Sequence, residues 1–345
     1  SNGAGWQAQR RASIGILRDF GMGKNLMEQQ VLSSIEEYLR FLDGIEDKKH
    51  VNMRWPIQLM VSNIINETLF DFRYKFDDCD ELVQFVELFN RMLERISRSR
   101  FTFFLIRFPL LKHFPLLGGN FYKTLERDRN ALFAHIRASI ARAKEGFNVA
   151  EDEPTCFVHA YAKKIAEQPG GDGFLTEEQL AVCCRDFFLA GQETTSSTLR
   201  WATLFLAAHQ DVQERIRAEI RLVVGDARLP AMADRPHLPY TTAAVHEIQR
   251  CANIVAANFV IFRKAVADTR VQHHDIPAGA MVDGDLHQIL ATDPHFEQPE
   301  QFRPERYLAD DGKTLRKDLV DRTVPFGLGR RQCAGEGLAR VELFL

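Results

Sequence analysis

The chain has 345 residues, with 44 Lys and Arg against 47 Asp and Glu, a formal net charge of -3 and 45% hydrophobic residues. At about 100–200 residues per domain, this length allows one large domain or two and excludes a disordered, collagen-like or coiled-coil chain. The near balance of charges argues against a surface built to neutralise nucleic-acid phosphates.

The six cysteines show no close paired spacing such as C-x-x-C, which favours a reducing compartment and no structural zinc. The apolar stretch from Ile57 to Phe70 is interrupted by polar residues, and no stretch reaches the roughly 18 uncharged residues of a membrane span. The chain begins with small polar residues instead of a signal peptide and ends in an uncapped helical pattern. We therefore expect it to be incomplete at both ends.

From Trp6 to Tyr161 the apolar residues recur at three- and four-residue spacing, which predicts mostly helices. An aromatic-rich connector between Arg98 and Gly119 either covers a core, lines the entrance for an apolar ligand or touches a membrane surface. Thr176 and Gln179 form a capping box that predicts a long helix running to about Ala208.

The next helix has an apolar face from Val212 to Val223 and ends near Gly225, and its charged residues predict a solvated face. Between Asn258 and Val282, β-branched and aromatic residues with a turn signal at Pro277 predict a few short strands. The remainder to Pro325 is predicted to be irregular. Because no repeat or linker interrupts the chain, we expect a single domain.

The sharpest feature is the run from Phe326 to Gly335, Phe-Gly-Leu-Gly-Arg-Arg-Gln-Cys-Ala-Gly, which a helix follows directly. Its glycines permit positive φ and close approach of the backbone to a bulky group. Cys333 precedes a helix N-terminus, where N–H groups and the positive dipole end stabilise a thiolate. A buried structural cysteine is the commoner case, but it needs neither this loop nor two arginines. Nucleophilic catalysis would need a basic partner, which the motif lacks.

A thiolate presented in this way suits ligation of haem iron. The run matches F-x-x-G-x-R-x-C-x-G at Phe326, Gly329, Arg331, Cys333 and Gly335, and it resembles the cysteine loop of the cytochrome P-450 family. The resemblance implies that Cys333 is the metal ligand of a haem b, and that Phe326, Arg331 and Gly335 also contact this cofactor.

The middle of the long helix reads Ala190-Gly191-Gln192-Glu193-Thr194-Thr195, although glycine costs about 1 kcal/mol there and threonine is a poor helix former. Gly191 would let a ligand approach the backbone, and a threonine can bond a preceding carbonyl and open a groove. A kinked core helix would explain this segment equally well. The segment is similar to the family's oxygen-binding helix, which implies that Ala190 and Gly191 contact haem. It also implies that Glu193 and Thr194 are catalytic and deliver protons to iron-bound O2.

Glu247 and Arg250 lie one helical turn apart, which alone is commonly a surface ion pair of little value. Pro304-Glu305-Arg306-Tyr307 supplies a further arginine. The two segments resemble the family's E-x-x-R and P-E-R motifs. The resemblance implies a buried structural network of Glu247, Arg250 and Arg306 behind the cysteine loop.

Trp6 and Arg10 share one helix face, which is typical of a half-buried surface helix but also suits a carboxylate ligand. They resemble the family's W-x-x-x-R helix, which implies haem-propionate binding together with Arg331. Arg263 is expected to take a further propionate role, although the proline and following histidine or arginine that the family usually carries here are not found from Ala256 to Phe262. His273 and His274 are predicted to point to opposite faces of a strand, not to a metal site.

The resemblance implies a mainly α cytochrome P-450 fold with a minor β-sheet region, incomplete at both termini. A single domain would then cover residues 1–345. Residues 1–252 would be mostly helical, residues 253–325 would form short strands and an irregular meander, and residues 326–345 would form the cysteine loop and the start of the last helix.

The run Leu17-Arg18-Asp19-Phe20-Gly21-Met22-Gly23 is similar to the animal microsomal branch of the family, which metabolises xenobiotics and lipids. This implies a monooxygenase that inserts one oxygen atom from O2 into a lipophilic xenobiotic, fatty acid or steroid. Its substrate pocket would be walled by Phe187, Phe188, Ala190 and the stretch from Ile254 to Phe262. Two alternatives stay open: an inactive or non-catalytic haem-binding fragment, and a peroxygenase or isomerase that needs no reductase.

The implied electron source is NADPH through NADPH-cytochrome P-450 reductase, with cytochrome b5 as an optional partner, since the chain has no G-x-G-x-x-G dinucleotide fingerprint. The implied location is the cytoplasmic face of the endoplasmic reticulum membrane. Arg11, Arg18 and Lys24 would contribute to a docking face for an acidic reductase, although a solvated helix explains them more simply.

Overall fold

The structure is a computed structural model that describes residues 2–19, 25–97, 108–114, 119–167, 173–255 and 263–345. The chain packs as two compact units. The first contains the described residues up to Ser196 together with Ala334–Glu342, and the second contains Ser197–Cys333 and Leu343–Leu345. The junction at Ser196 falls inside a helix, which explains why no linker is visible in the sequence. The expectation of one domain stays a prediction.

The described residues are mainly helical with small antiparallel sheets, which confirms the predicted fold class. The helices are α1 (Gly3–Asp19), α2 (Asn25–Asp43), α3 (Arg54–Phe70), α4 (Asp80–Ser97), α5 (Asn120–Lys144), α6 (Phe157–Ala166), α7 (Glu177–Ala208), α8 (Gln210–Val223), α9 (Pro239–Ala252), α10 (Leu286–Thr292), α11 (Lys317–Arg322) and α12 (Glu336–Phe344). Short 3-10 turns lie at Pro109–His113, Met232–His237, Pro304–Tyr307 and Gly329–Arg331.

Helix α3 lies in the core of the first unit. From Pro56 to Phe70 every side chain is buried except that of Glu67, which is half-buried. A helix that is apolar around its circumference must be covered on all sides, and this accounts for the apolar run in the sequence. Within it, Asn63 exchanges two hydrogen bonds of 2.8 Å with the backbone of Tyr74. No helix within the described ranges has the length and hydropathy needed to cross a bilayer.

Helix α7 has the bounds that its capping pattern predicts. The Gln179 N–H donates to Thr176 Oγ1 at 3.2 Å and so satisfies one of the first backbone donors. On its buried face Phe188 is 0% exposed and packs edge-on against Phe85, with ring centroids 5.1 Å apart. The prediction that Phe188 walls a ligand pocket is therefore wrong, because this ring fills the core.

The second unit packs α8 and α9 around an apolar cluster that includes Val212, Tyr240, Phe296 and Tyr307. The prediction of a functionless solvated face on α8 is wrong for Glu219. Its carboxylate accepts from the backbone N–H groups of Tyr240 and Thr241 at 2.9 and 2.7 Å, and so caps the first turn of α9.

The predicted short strands form two antiparallel pairs. Strand β1 (Arg263–Lys264) pairs with β4 (Met281–Val282), and β2 (Thr269–Val271) pairs with β3 (His274–Ile276). The turn at Pro277 is present, since its carbonyl accepts from the Ala280 N–H at 3.1 Å.

The histidine pair next to β3 departs from its prediction. His273 lies in the turn that joins β2 to β3, so its ring does not point away from that of His274. The two ring centroids are 4.0 Å apart. Both residues are exposed. The predicted opposite faces are therefore wrong.

The segment that was predicted to be irregular contains two short helices, α10 and α11. They have two turns or fewer, too short for a clear periodic pattern. A signal was present for α10, however: the Asp285 side chain accepts from the Gln288 N–H at 2.9 Å, as an N-cap does.

The aromatic connector is described only at residues 108–114 and from Gly119 onwards. There Phe108, Leu110 and Phe114 are 47%, 75% and 55% exposed, so this part does not cover a core. Phe101, Phe103 and Phe104 lie outside the described residues. The six cysteines, all within the described ranges, form no disulfide.

Candidate functional site

The cysteine loop is shaped by two glycines and one backbone hydrogen bond. Gly327 and Gly329 have φ of 70° and 75°, which a residue with a Cβ rarely adopts. These conformations turn the chain back, so that the Cys333 N–H donates to the Phe326 carbonyl at 2.9 Å. The loop therefore has a fixed closure at the cysteine itself.

Cys333 is exposed and lies three residues before α12, whose first carbonyl acceptor is that of Gly335. Arg331 is half-buried in the 3-10 turn just before it. A cysteine that directly precedes a helix and follows an arginine by two residues is in surroundings that favour a thiolate. The loop thus presents Cys333 as an exposed candidate ligand.

On α7, the Thr194 hydroxyl donates to the Ala190 carbonyl at 2.7 Å, the bond expected of a threonine in this position. Both residues are exposed, whereas Gln192, Thr195 and Ser196 are buried. The exposed side of this turn therefore carries the small side chains of Ala190 and Thr194, and the adjacent Glu193 is half-buried.

Gly191 has a packing role that the sequence did not indicate. A Cβ added at Gly191 would lie 2.7 Å from Cδ1 of Ile65 on α3, so the missing side chain lets two helices approach each other. The space is filled by protein and is not open to a ligand. Contact of Ala190 and Gly191 with haem stays a prediction from the family.

A buried polar cluster holds the same turn of α7 from the side of α3. The Gln58 amide donates to the Gln192 carbonyl at 3.3 Å and contacts the Gln192 side chain, and the Ser196 hydroxyl donates to Gln58 Oε1 at 3.2 Å. All three residues are at most 2% exposed. Sequence reasoning missed Gln58, because no local spacing links it to a helix 134 residues away.

A second buried contact reaches the turn from α12. The Thr195 hydroxyl donates to Glu342 Oε2 at 3.0 Å. Burial raises the pKa of Glu342 to about 8, against the lowering effect of this hydrogen bond. Glu342 was also missed in the sequence, where it is one acidic residue on an otherwise ordinary helix.

In the second unit the structure brings Glu247, Arg250 and Arg306 together, all at most 5% exposed. Arg250 forms a bidentate pair with Glu247, with N–O distances of 2.8 and 2.9 Å. Arg306 Nε donates to the same carboxylate at 3.0 Å. The Arg303 N–H adds a fourth donor at 2.9 Å.

The remaining guanidinium donors of this network bond to backbone carbonyls. Arg306 reaches those of Glu297 and Gln298 at 2.6 and 3.1 Å, and both arginines reach that of Gln301, at 3.0 and 3.3 Å. A buried ion group stays stable only when its hydrogen-bonding capacity is used in this way. The network thus ties α9 to the chain around residues 297–306.

The Trp6 and Arg10 side chains share a face of α1, with the guanidinium carbon 5.8 Å from the indole centroid. Neighbouring Gln9 accepts from the Tyr161 hydroxyl at 2.6 Å and donates to the Phe174 carbonyl. These contacts fix α1 in the first unit and hold the Trp6 and Arg10 face in one orientation.

For several predicted site residues the structure gives only their exposure or does not describe them. Arg263 is exposed in β1 opposite Val282. The stretch 256–262 lies outside the described residues, so the propionate role of Arg263 stays a prediction. Arg11 and Arg18 are exposed on α1, whereas Lys24 lies outside the described residues.

The chemistry of these donors fits a haem. Within the described ranges no group of three or more His, Cys, Asp and Glu residues is placed to hold a metal ion. A porphyrin supplies most of the ligands of its own iron, so a single exposed thiolate is a sufficient protein ligand. The half-buried Arg331 and Arg10 have the charge that haem propionates require.

Comparison with known proteins identifies the class. The family model for cytochrome P450 matches residues 1–345. The chain is 36% identical over 350 residues to cytochrome P450 2H2 of Gallus gallus, 31% over 350 residues to cytochrome P450 2J5 of Mus musculus and 33% over 352 residues to cytochrome P450 2D26 of Rattus norvegicus. These alignments cover 99–100% of the chain and 66–67% of each relative, so the chain spans about two thirds of their length.

The chain belongs to the cytochrome P450 family. This confirms the predicted enzyme class, haem-thiolate monooxygenases, and the haem iron that the family uses. It also confirms the family resemblance that was inferred from the cysteine loop.

Proposed function

We propose that this chain binds haem b through Cys333. In this proposal it takes part in inserting one oxygen atom from O2 into a lipophilic small molecule, with electrons from NADPH through NADPH-cytochrome P-450 reductase. The observation that carries the proposal is the exposed Cys333 sulfur in a loop closed by its own N–H, directly before α12. Haem would supply the oxygen activation, which no side chain of the chain provides.

The remaining cofactor contacts are assigned by motif position. Trp6, Arg10, Arg331 and Arg263 would bind the propionates. Phe326 and Gly335 would shape the loop around the ligand. The orientation of Trp6 and Arg10 on one face of α1 and the half-buried state of Arg331 support this assignment.

Thr194 and Glu193 would hold and move protons. The Thr194 hydroxyl has one proton, which it donates to the Ala190 carbonyl. To donate outward it must rotate away from this carbonyl, and a carboxyl or a water must replace the proton it passes on. Glu193, the preceding residue, is the nearest acid in the sequence for that role.

The exposed face of α7 at Ala190 and Thr194 carries two small side chains, and we assign it to a lipophilic substrate in the xenobiotic, fatty acid or steroid range. Phe187 is half-buried and Ile254 is half-buried, so both stay candidates for the pocket wall. Residues 256–262 complete the proposed wall but lie outside the described residues.

We assign the partners and the location by family as well. The electron donor would be the reductase, with cytochrome b5 as an optional partner, at the cytoplasmic face of the endoplasmic reticulum membrane. Arg11 and Arg18 are exposed two turns apart on α1 and would contribute to the docking face for an acidic partner.

The test is the spectrum of the reduced carbon monoxide complex of the chain expressed with haem. Wild type is expected to give the Soret band of a thiolate ligand, and Cys333→Ala is expected to lose it. Cys251→Ala, a half-buried cysteine of the same unit, is the matched control and should keep the band. An imidazole-type band in wild type would contradict the ligand assignment, and colourless protein would favour a fragment that binds no haem. Turnover with peroxide but not with NADPH and reductase would favour a peroxygenase.

A further inference from the structure

Glu342 is a buried acid that the proposed chemistry does not use. Its residue is 5% exposed, and it lies on α12 nine positions after Cys333. Oε2 accepts the Thr195 hydroxyl at 3.0 Å, whereas Oε1 is buried without a hydrogen-bond partner among the described residues. A carboxylate placed in this way, with no cation of the described chain bonded to it, would be very unfavourable.

A neutral carboxylic acid is far less costly with the same contacts, because it buries no charge. Oε2 is then the carbonyl oxygen that accepts from Thr195, and Oε1 carries the proton. The raised pKa of Glu342, about 8 and caused by burial, agrees with this geometry. The acid is therefore a neutral acceptor for the threonine at neutral pH.

Thr195 follows Thr194 directly, so a hydrogen bond that holds the Thr195 side chain also restrains the backbone at Thr194. On the same turn, the neighbouring Gln192 and Ser196 are held by Gln58 of α3. The hydrogen bond to Glu342 is thus a second clamp on the same helical turn, from a different element. Two clamps on one turn leave little freedom for the two catalytic candidates on it.

We propose that Glu342 is a positioning residue that holds the α7 turn carrying Glu193 and Thr194 through its hydrogen bond with the Thr195 hydroxyl. The proposal rests on the proposed function. The positioning role gives α12 a second task in the proposed function, besides following the ligand cysteine. Glu342 acts through Thr195 and touches neither substrate nor cofactor in this role.

The experiment compares Thr195→Val, Glu342→Leu, Glu342→Gln and the double variant Thr195→Val/Glu342→Leu, with Thr203→Val as the matched control. Thr203 lies on the same helix, is exposed and donates to the Leu199 carbonyl at 2.9 Å, two turns beyond Thr195. Each haem-loaded protein is first checked for the thiolate carbon monoxide band and for its thermal unfolding. Product and peroxide formed per NADPH are then measured, with Thr194→Ala as the reference for lost proton delivery.

Thr195→Val and Glu342→Leu are each expected to raise the peroxide released per product by about threefold or more, the factor carried by one ordinary hydrogen bond. The double variant should release no more peroxide per product than either single variant, because the two substitutions remove the same hydrogen bond. Glu342→Gln keeps an acceptor oxygen and should restore wild-type coupling. A purely structural role would lower the unfolding temperature without this pattern.

A readout that does not depend on turnover is the infrared band of a protonated carboxylic acid. It should be present in wild type at neutral pH and in Thr195→Val, where it shifts, and absent in Glu342→Gln. Unchanged coupling in Thr195→Val, additive effects in the double variant, or no such band would overturn the proposal. Loss of the thiolate spectrum in wild type would instead overturn the proposed function, so the two failures are distinguishable. Should Glu342→Leu not fold, the nearly isosteric Thr195→Val alone decides.

Discussion

Replacing Glu342 by glutamine should change how the stability of the protein depends on pH. Burial raises the pKa of Glu342 from 4.5 to about 8 in the folded state. Between these values the folded chain keeps a proton that the unfolded chain has released, so the free energy of unfolding falls as pH rises. Below about 4.5 both states are protonated and the residue contributes no pH dependence. Above about 8 both are ionised, and the full cost of the buried charge is present.

The magnitude follows from the size of the shift. A difference of about 3.5 pH units at 1.36 kcal/mol per unit gives about 5 kcal/mol over the whole window. Between about pH 5.5 and 7.5 the expected loss is about 3 kcal/mol. A glutamine side chain has no proton to release, so the Glu342→Gln variant should gain about this much relative to wild type over that interval.

Denaturant unfolding of both proteins at several pH values, followed by circular dichroism, measures this difference. Other titrating groups are common to both proteins and cancel in the comparison. A difference between the two proteins that does not change with pH would refute the assignment of a neutral buried acid.

Two further variants test the packing around the motifs. Arg306→Leu should lower the free energy of unfolding by about 3–5 kcal/mol, because it removes one of the two cations that neutralise buried Glu247; a loss under about 1 kcal/mol in denaturant unfolding would contradict a buried network. Gly191→Ala would have to move the Ile65 Cδ1 methyl group, so the expected gain of about 1 kcal/mol in helix propensity should be largely cancelled, and it should reappear in denaturant unfolding when Ile65→Val removes that methyl group. Weakened carbon monoxide binding without loss of stability in Gly191→Ala would instead support a role of this glycine in ligand access.

The sequence was most informative where chemistry is carried by local spacing. Glu247 and Arg250 are three residues apart on a helix, so their pairing was predictable from helix geometry alone. The third member, Arg306, came only from the resemblance to the family motif, because it lies 59 residues from Glu247. The Thr194 bond to the Ala190 carbonyl, four residues away, was likewise a local feature.

The partners that hold these motifs were not predictable. Gln58 and Glu342 reach α7 from 134 and 147 residues away, and neither belongs to a recognisable spacing. Glu219 looked like part of a solvated face, because a charged residue on an amphipathic helix usually is. Only the packing of α8 against α9 shows that its carboxylate faces two backbone N–H groups.

Gly191 shows how one residue type supports two interpretations. Glycine in mid-helix signals close approach of something to the backbone, but it does not say whether that is a ligand or another helix. The sequence around it favoured a ligand, because cofactor motifs lie on the same helix. A Cβ at this position would point toward Ile65, which accounts for the glycine by helix packing, while contact with a ligand stays a prediction.

The long helix has conflicting requirements. Small and polar residues from Ala190 to Ser196 give this turn its two exposed small side chains, yet glycine and threonine together weaken helix formation by about 2 kcal/mol. This loss of helix propensity falls on the turn that carries Glu193 and Thr194, which must be rigid for the proposed chemistry. Buried hydrogen bonds from Gln58 on one side and Glu342 on another offset it, since each net bond contributes about 1 kcal/mol. The order of this turn therefore comes from α3 and α12, and substitutions on those helices should disturb it without touching any motif.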